Sequence, residues 1–260
     1  MPVNLPVNMP VRFAIVFIVA AWAGCLPANA AEIKVLTAGA FKPVVVAVAA
    51  EFAKRSGHTL VVDNDTAGAL VRRVGSGEAF DLVVATPSAL EQMAQAGRLA
   101  PNASTRLARV AIGVAVKQGA PLPDIGTLAA FQRALLEARA VAYIDPASGG
   151  SSGIYLAGLF DKLGIAAQIR SKAVLVPGGL VAQSLLNGEA DIAIHQISEI
   201  LAVPGVVLVG PIPAEVQNYT VYAGAVSPAA RDRAAAQDLL DYLSSPTTQQ
   251  ALKEKGMQVP

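Results

Sequence analysis

The chain is short of the residues that most often carry chemistry. It has one Cys, one Trp and two His in 260 residues, and only 15% of it is charged. Cys25 and Trp22 both lie before residue 30. The domain that follows therefore has no disulfide or reactive thiol, and its apolar core must hold it together. With only His58 and His195 as imidazoles, no metal-ligand cluster forms in sequence. There is no nucleotide-binding loop either, so no cofactor is expected. Basic runs and aromatic–basic interleaving are absent, which argues against nucleic acid as a partner. If Arg12 is set aside, 19 basic residues face 19 acidic ones, so the remaining chain is nearly neutral.

Long apolar runs are also few. Phe13 to Gly24 is one, preceded by a single positive charge and followed by Ala28-Asn29-Ala30, a small-x-small cleavage site. Together these predict a secretory signal peptide over residues 1–30, cut after Ala30, and the run is too short to span a bilayer comfortably. Ala23-Gly24-Cys25 offers a lipoprotein site instead. Trp22, standing where a branched aliphatic residue is usual, disfavours it. No second such run follows, so no stable membrane insertion is expected after cleavage. The remaining 230 residues or so are enough for two small lobes with cores.

What the chain does have is a strand–loop–helix rhythm. Ile33 to Leu36, Thr59 to Val62 and Ala79 to Ala85 read as strands, with helices over Val44 to Arg55, after Gly68, and over Pro87 to Ala96. This predicts parallel βαβ units, whose ligands collect at the carboxyl ends of the strands. Leu107 to Val116 is an apolar strand long enough to pass between lobes, and Thr220 to Ala225 brings the chain back. The expected division is lobe I from 31–109 plus 225–260, and lobe II from 110–224. Pro177-Gly178-Gly179 is expected to open a helix ending near Asn187, and Pro246 to Glu254 to form a closing helix.

The central stretch is Val141 to Leu156. A strand, Val141 to Ile144, is broken by Asp145-Pro146. A Gly/Ser loop then opens a helix of apolar residues at helical spacing, with Gly164 as its stop. Such a loop aims free N–H groups and the positive dipole end at one point, which suits an anion. Gly149, Ser151 and Gly153 also match Gly-x-Ser-x-Gly. A nucleophile elbow needs its Ser at the strand–helix corner, however, and Asp145 to Ser148 intervene, so hydrolase chemistry is disfavoured.

Five loops are expected to face one cleft: Thr37–Lys42, Asn64–Gly68, Ser148–Gly153, Pro177–Gly179 and His195–Glu199. The candidate ligand-binding residues are Thr37, Ala38, Gly39, Ala40, Thr66, Gly68, Arg72, Ser148, Gly150, Ser151, Ser152, Gly179 and Gln196. His195, whose intrinsic pKa suits proton transfer, and Lys42 are the candidate catalytic residues. His58 reads as a surface residue, Arg72 and Arg73 as a helix face that is usually solvated, with one of them able to reach the cleft, Tyr155 as core, and Glu199 has no evident partner.

Val35-Leu-Thr-Ala-Gly-Ala-Phe41, Asp81-Leu-Val-Val-Ala85, Gly188-Glu-Ala-Asp-Ile-Ala-Ile194 and Leu239-Leu-Asp-Tyr-Leu-Ser-Ser-Pro246 carry a family resemblance. The chain resembles periplasmic solute-binding proteins of the type 2 fold, and within them the molybdate-binding family. The resemblance implies an α/β fold of two lobes joined by two crossing strands, with a ligand cleft between them. It also implies a periplasmic location and, as partners, a small anion and an ABC transporter permease. That family holds its oxyanion with hydroxyls and backbone N–H groups. Here its first-loop serine becomes Ala40, its second loop Thr66-Ala-Gly-Ala69, and its late tyrosine Gln196 beside His195. Lost hydroxyls leave oxyanion oxygens unpaired, at about 1–3 kcal/mol each, so a carboxylate is favoured over molybdate. The chain is also similar to a branch that resembles aconitate isomerase. That similarity implies His195 moving an allylic proton of a tricarboxylate held by Lys42, Arg72 or Arg73, with Ser151 and Ser152. Passive receptor and isomerase both remain open at this level.

Overall fold

The computed structural model describes residues 1–3 and 30–260, so residues 4–29 of the expected signal peptide, Cys25 among them, lie outside the described residues. In chain order the elements are β1 (Glu32–Ala38), α1 (Lys42–Ser56), β2 (Thr59–Asp65), α2 (Ala67–Gly75), β3 (Leu82–Ala85), α3 (Pro87–Gln95) and β4 (Thr105–Lys117). Next come α4 (Leu128–Glu137), β5 (Val141–Ile144), α5 (Ser151–Lys162), α6 (Ala166–Arg170), β6 (Ala173–Val176), α7 (Gln183–Leu186), β7 (Ile192–Gln196) and α8 (Ile197–Ile200). The chain closes with β8 (Val206–Pro211), β9 (Tyr219–Val226), α9 (Arg233–Ser244), α10 (Gln249–Glu254) and β10 (Met257–Gln258).

The strands follow the order β2-β1-β3-β9-β4-β7-β5-β6, with β8 and β10 also paired to β4. Pairing is parallel among β1, β2 and β3, and again among β5, β6 and β7, as expected of βαβ units. Between these sets run the antiparallel strands β4 and β9. The first part of β4, Thr105 to Ala111, pairs with β9, and its second part pairs with β7 and β8. At the changeover the Gln217 side chain stands in for a neighbouring strand. Its Oε1 accepts from the Ile112 N–H and its Nε2 donates to the Ile112 carbonyl, both at 2.9 Å.

Each parallel set has its own apolar core. One unites residues from Ile33 to Val110 with residues from Tyr222 to Met257. The other side is filled by two clusters drawn from Ile112 to Ile212. Among the described residues no helix is long and apolar enough to cross a membrane.

Several sequence expectations need correction. The helix expected from Pro177 shrinks to Gln183–Leu186, because Gly179 takes a left-handed φ of 83° and breaks the run. The third strand begins at Leu82, not Ala79. Its neighbour Asp81 is buried and accepts hydrogen bonds from the backbone N–H groups of Lys34 and Arg231 and from the Arg231 guanidinium. Pro246 to Thr248 forms a separate 3-10 turn before α10, and α6 and β10 were not anticipated.

Close packing at the end of β5 dictates two glycines of the central loop. A Cβ on Gly153 would stand 2.2 Å from the Ile144 carbonyl oxygen, and one on Gly150 would stand 2.4 Å from Ile144 Cγ2. We expect Gly153→Ala to destabilise the chain by about 3 kcal/mol, the scale of an overpacked core. Gly158→Ala in the same helix has open space around it and should be neutral or stabilising by up to about 1 kcal/mol. Urea unfolding of the two variants checks this; equal midpoints would refute the contact argument.

Candidate functional site

The carboxyl ends of β1, β2, β5 and β7 open on one hollow. Its walls include Ala38, Gly39 and Ala40 after β1, Asn64 to Ala67 at β2, and Ile144 at the end of β5. Gly150, Ser151 and Ser152 at the head of α5, Gly179, and His195, Gln196 and Glu199 around the β7–α8 junction complete one side. Tyr222 of β9 closes the other. The interior is about 30 Å³, room for about two water molecules at the ~10–15 Å³ each requires.

Donors converge on it. No side chain caps α5 among the described residues, so the N–H groups of its first turn and its positive end face the hollow. The Ser151 and Ser152 hydroxyls sit on that turn. Gln196 is buried, and its Nε2 donates to Thr220 Oγ1 at 2.8 Å and to Ser151 Oγ at 3.4 Å. No Lys or Arg stands among the described lining residues.

At the floor lies a buried acid–base pair. His195 is the last residue but one of β7, and Glu199 lies four residues on, in α8. His195 Nε2 is 3.2 Å from Glu199 Oε2, with 3% and 8% of the two side chains exposed. The carboxyl fits because Gly39 gives way: a Cβ there would stand 2.5 Å from Glu199 Oε1. Burial disfavours both charged forms. It lowers His195 to about 3 and raises Glu199 to about 8, so near neutral pH the imidazole is uncharged and the carboxyl holds a proton. Burial also pushes the Tyr222 phenol above its usual range, with Glu199 adding to the shift and Ser151 opposing it. Among the described residues, His195 Nδ1, Gln196 Oε1 and Ser198 Oγ are buried without a hydrogen-bond partner. Each such group costs about 1–3 kcal/mol unless something pairs with it.

The two parallel sets also touch across the mouth. Thr66 Oγ1 caps α2 by accepting from the Ala69 N–H, and donates to the Ser148 carbonyl at 2.7 Å. The Gly68 N–H donates to the Gly149 carbonyl at 3.1 Å. The two backbones meet so closely that a Cβ on either glycine would lie within 2.8 Å of the other's Cα.

Ten of the expected site residues line the hollow: Ala38, Gly39, Ala40, Thr66, Gly150, Ser151, Ser152, Gly179, His195 and Gln196. Five stand outside it. Thr37 is fully buried and donates to the Ala38 carbonyl, so its hydroxyl turns into the core. Gly68 and Ser148 belong to the contact across the mouth. Arg72 is exposed, with a long 3.4 Å bond to the Ser148 carbonyl. Lys42 lies in an adjoining chamber and donates to Asn64 Oδ1 at 2.7 Å. Arg73 is consumed by Glu78, Asp63 and Asp65. Tyr155 bonds the Val216 carbonyl, and half-buried His58 accepts from the Ala31 N–H. Among the described residues no group of three or more His, Cys, Asp or Glu is placed to hold a metal.

Glu199 and Tyr222 were missed by sequence reasoning. The four-residue spacing of His195 and Glu199 is a signal for the first. For Tyr222, inside an apolar strand, there was none.

Residues 33–258 match the model of a family described as bacterial extracellular solute-binding protein. The chain is 34% identical over 229 residues to an aconitate isomerase from a Pseudomonas species, covering 86% of each chain. It is 26% identical over 253 residues to the molybdate-binding protein ModA of Azotobacter vinelandii, covering 92% of this chain and 95% of the other. The solved structure of the periplasmic molybdate-binding protein of Azotobacter vinelandii superposes with a TM-score of 0.72. There the identity is 20%, and 88% of this chain and all of that one are covered.

The buried pair predicts a particular stability profile. From about pH 4.5 to 6.5 the folded pair and the unfolded chain each hold one proton on these groups, so the pair adds no slope. Above pH 6.5 the unfolded chain loses its proton, whereas folded Glu199 keeps one until about pH 8. Stability should therefore fall there by roughly 1.4 kcal/mol per pH unit. Below pH 4.5 the unfolded chain gains a second proton and stability falls again towards the folded His195 value of about 3. Glu199→Gln should flatten the decline between pH 6.5 and 8. An unchanged slope in denaturant titrations of that variant would show that the pair does not carry it.

Proposed function

The chain belongs to the bacterial extracellular solute-binding protein family, in its molybdate-binding-like group, and has the type 2 periplasmic binding-protein fold; within that frame we propose that the cleft binds a small carboxylate anion and isomerises it as an aconitate isomerase does. The single observation that carries this reading is the His195–Glu199 pair, an uncharged base and a protonated acid 3.2 Å apart on the floor of an anion-binding hollow. Similarity to the Pseudomonas aconitate isomerase supports it.

Moving the double bond of trans-aconitate to give the cis isomer is a 1,3-proton shift. A proton leaves the methylene carbon, the double bond migrates by one carbon, and a proton arrives at the former vinyl carbon. Atoms and electrons balance without cofactor or oxidant. In the proposed route the unpartnered Nδ1 of His195 accepts the departing proton while Nε2–H donates to Glu199 Oε2. Glu199 delivers its own proton from Oε1 at the other carbon. Transfer from Nε2 to Oε2 then restores an uncharged imidazole and a protonated carboxyl, with the abstracted proton left on Nδ1. Release of that proton to water, uptake of another at Nε2 and rotation of the Glu199 carboxyl reset the pair for the next turnover. The negative charge that builds on the substrate carboxylates meets the α5 amides with Ser151 and Ser152, donors already aimed at it. Neutral Glu199 suits an anionic guest, since an ionised carboxylate in the same space would repel it.

Family membership favours a second reading: capture of the same class of anion, without turnover, for delivery to an ABC-type transporter permease. In both readings the protein is exported to the periplasm, the leader over residues 1–30 being part of the proposal.

Incubating the full chain with trans-aconitate and following cis-aconitate by chromatography separates the two. Conversion is expected. His195→Ala should slow it by roughly 10²–10⁴-fold, the usual contribution of a positioned base, and leave most of the binding intact. Binding of either aconitate without conversion would establish the receptor reading. Thermal stabilisation by molybdate, with carboxylates inert, would overturn the carboxylate assignment altogether.

A further inference from the structure

Beside the inner hollow lies a second, wider chamber of about 320 Å³. It shares Gly39, Asn64, Gly179 and Glu199 with the hollow, so the two are compartments of one cleft with the Glu199 carboxyl at the partition. Its other walls are largely aliphatic: Pro43, Val46, Leu180 and Ala202. Lys42 is the one ionisable group that adds to them, beside the shared Glu199.

Lys42 is placed against ordinary electrostatic preference. It is the first residue of α1, at the positive end of the helix dipole, where a cation is disfavoured, and no acidic residue occupies that first turn. Of the other cations near these strand ends, Arg72 is exposed at the mouth and makes only a long 3.4 Å bond to the Ser148 carbonyl, and two are neutralised. Lys34 pairs with Glu78, and Arg73 with Asp63, Asp65 and Glu78. Lys42 has no carboxylate within 4.0 Å among the described residues. Its ammonium is held only by a neutral acceptor, Asn64 Oδ1, at 2.7 Å. A half-buried ammonium fixed in place, facing a cavity and lacking a counter-ion is a prepared anion contact.

We infer that the cleft is a two-compartment site for an elongated di- or tricarboxylate, with one carboxylate in the inner hollow at the head of α5 and a second on the Lys42 ammonium in the outer chamber. The aliphatic walls between fit the carbon stem that links the two. This arrangement sets the stem alongside Glu199, where its acidic C–H bonds are needed. Lys42 is therefore a specificity-determining contact, selecting against monocarboxylates and against compact oxyanions that fill the inner hollow alone. The inference rests on the carboxylate reading above and extends it to substrate class.

Calorimetric titration of the full chain with propane-1,2,3-tricarboxylate, a saturated tricarboxylate with no double bond to move, and with acetate tests it. The parent chain should bind the tricarboxylate well and acetate weakly. Lys42→Met should weaken tricarboxylate binding about tenfold or more and leave acetate unchanged, and Lys42→Arg, which keeps the charge, should restore most of the affinity. Should Lys42→Met misfold, Asn64→Leu, which unfastens the ammonium without removing it, should give a smaller loss in the same direction. Equal tricarboxylate affinity in parent and Lys42→Met overturns the role of Lys42 and leaves the inner carboxylate site standing. Failure of the parent chain to bind either acid overturns the carboxylate reading, and this inference with it.

Discussion

The arrangement of this cleft turns on one constraint: an imidazole and a carboxyl share a dry space too small to let either be charged cheaply. His195 lies next to the end of a strand and Glu199 in the short helix that follows it directly, so the strand–helix junction itself sets their separation. Gly39 makes the fit possible, because any side chain there would occupy the place of Glu199 Oε1. Taking an isolated ion out of water costs several kcal/mol even after relaxation. The pair avoids that cost by remaining uncharged, and so becomes a proton donor and a proton acceptor side by side at ordinary pH. The hydroxyls, the α5 amides and Gln196 are arranged around that pair.

The two parallel strand sets each bring loops to one end, and β4 and β9 run between the sets. What joins the loops across the mouth is slight. Among the described residues its hydrogen bonds are the Thr66 bond to Ser148, the Gly68 bond to Gly149 and a long bond from Arg72, beside the packing of Gly39 on Glu199. At a net value of about 0.5–1.5 kcal/mol for an ordinary hydrogen bond, separating them costs roughly 1–4 kcal/mol. That is smaller than the binding free energy of a micromolar ligand, about 8 kcal/mol. An inner volume that admits only about two waters therefore does not bar a larger guest, since opening the mouth is cheap relative to binding. The close glycine contact gives the shut state a definite geometry without a large energetic barrier.

Much of the scaffold could be read from sequence, because its signals are local. Val141 to Ile144 is a strand because its four apolar, mostly β-favouring residues are stopped by Asp145-Pro146. Gly57 and Gly164 end their helices with φ of 77° and 69°, as helix-stop glycines do. The convergence of Thr66, Gly150, Ser151 and His195 on one hollow followed from placing loops at strand ends. The failures share a different cause. Whether Pro177-Gly-Gly179 opens a helix depends on how Gly179 turns, and glycine carries no preference that decides it. Thr37 was expected at the ligand, but a hydroxyl one residue from a strand end can face either way, and this one faces the core. Glu199 was placed in a cleft-facing loop but had no evident partner; only the three-dimensional packing against Gly39 and His195 reveals it as buried. Arg73 could not be told from Arg72 in sequence, though one is locked in ion pairs and the other is exposed.

The same scaffold can serve a receptor or a catalyst, and what distinguishes them physically is whether the floor of the cleft can exchange protons. An oxyanion held for transport needs donors that never change state: hydroxyls, amides and a helix end, all of which this chain retains in part. A titratable pair adds nothing to such binding, and it carries a standing cost, since above pH 6.5 burial of Glu199 draws stability away from the fold. An apolar pair of similar size would pack there without that penalty. A buried group that weakens the fold and adds little to affinity is best explained by chemistry that needs it, because strained or costly features persist where function depends on them. On the proposed isomerase reading, replacement of a fixed hydroxyl nest by a proton-holding pair is the change that would let an anion-capturing cleft rearrange what it holds.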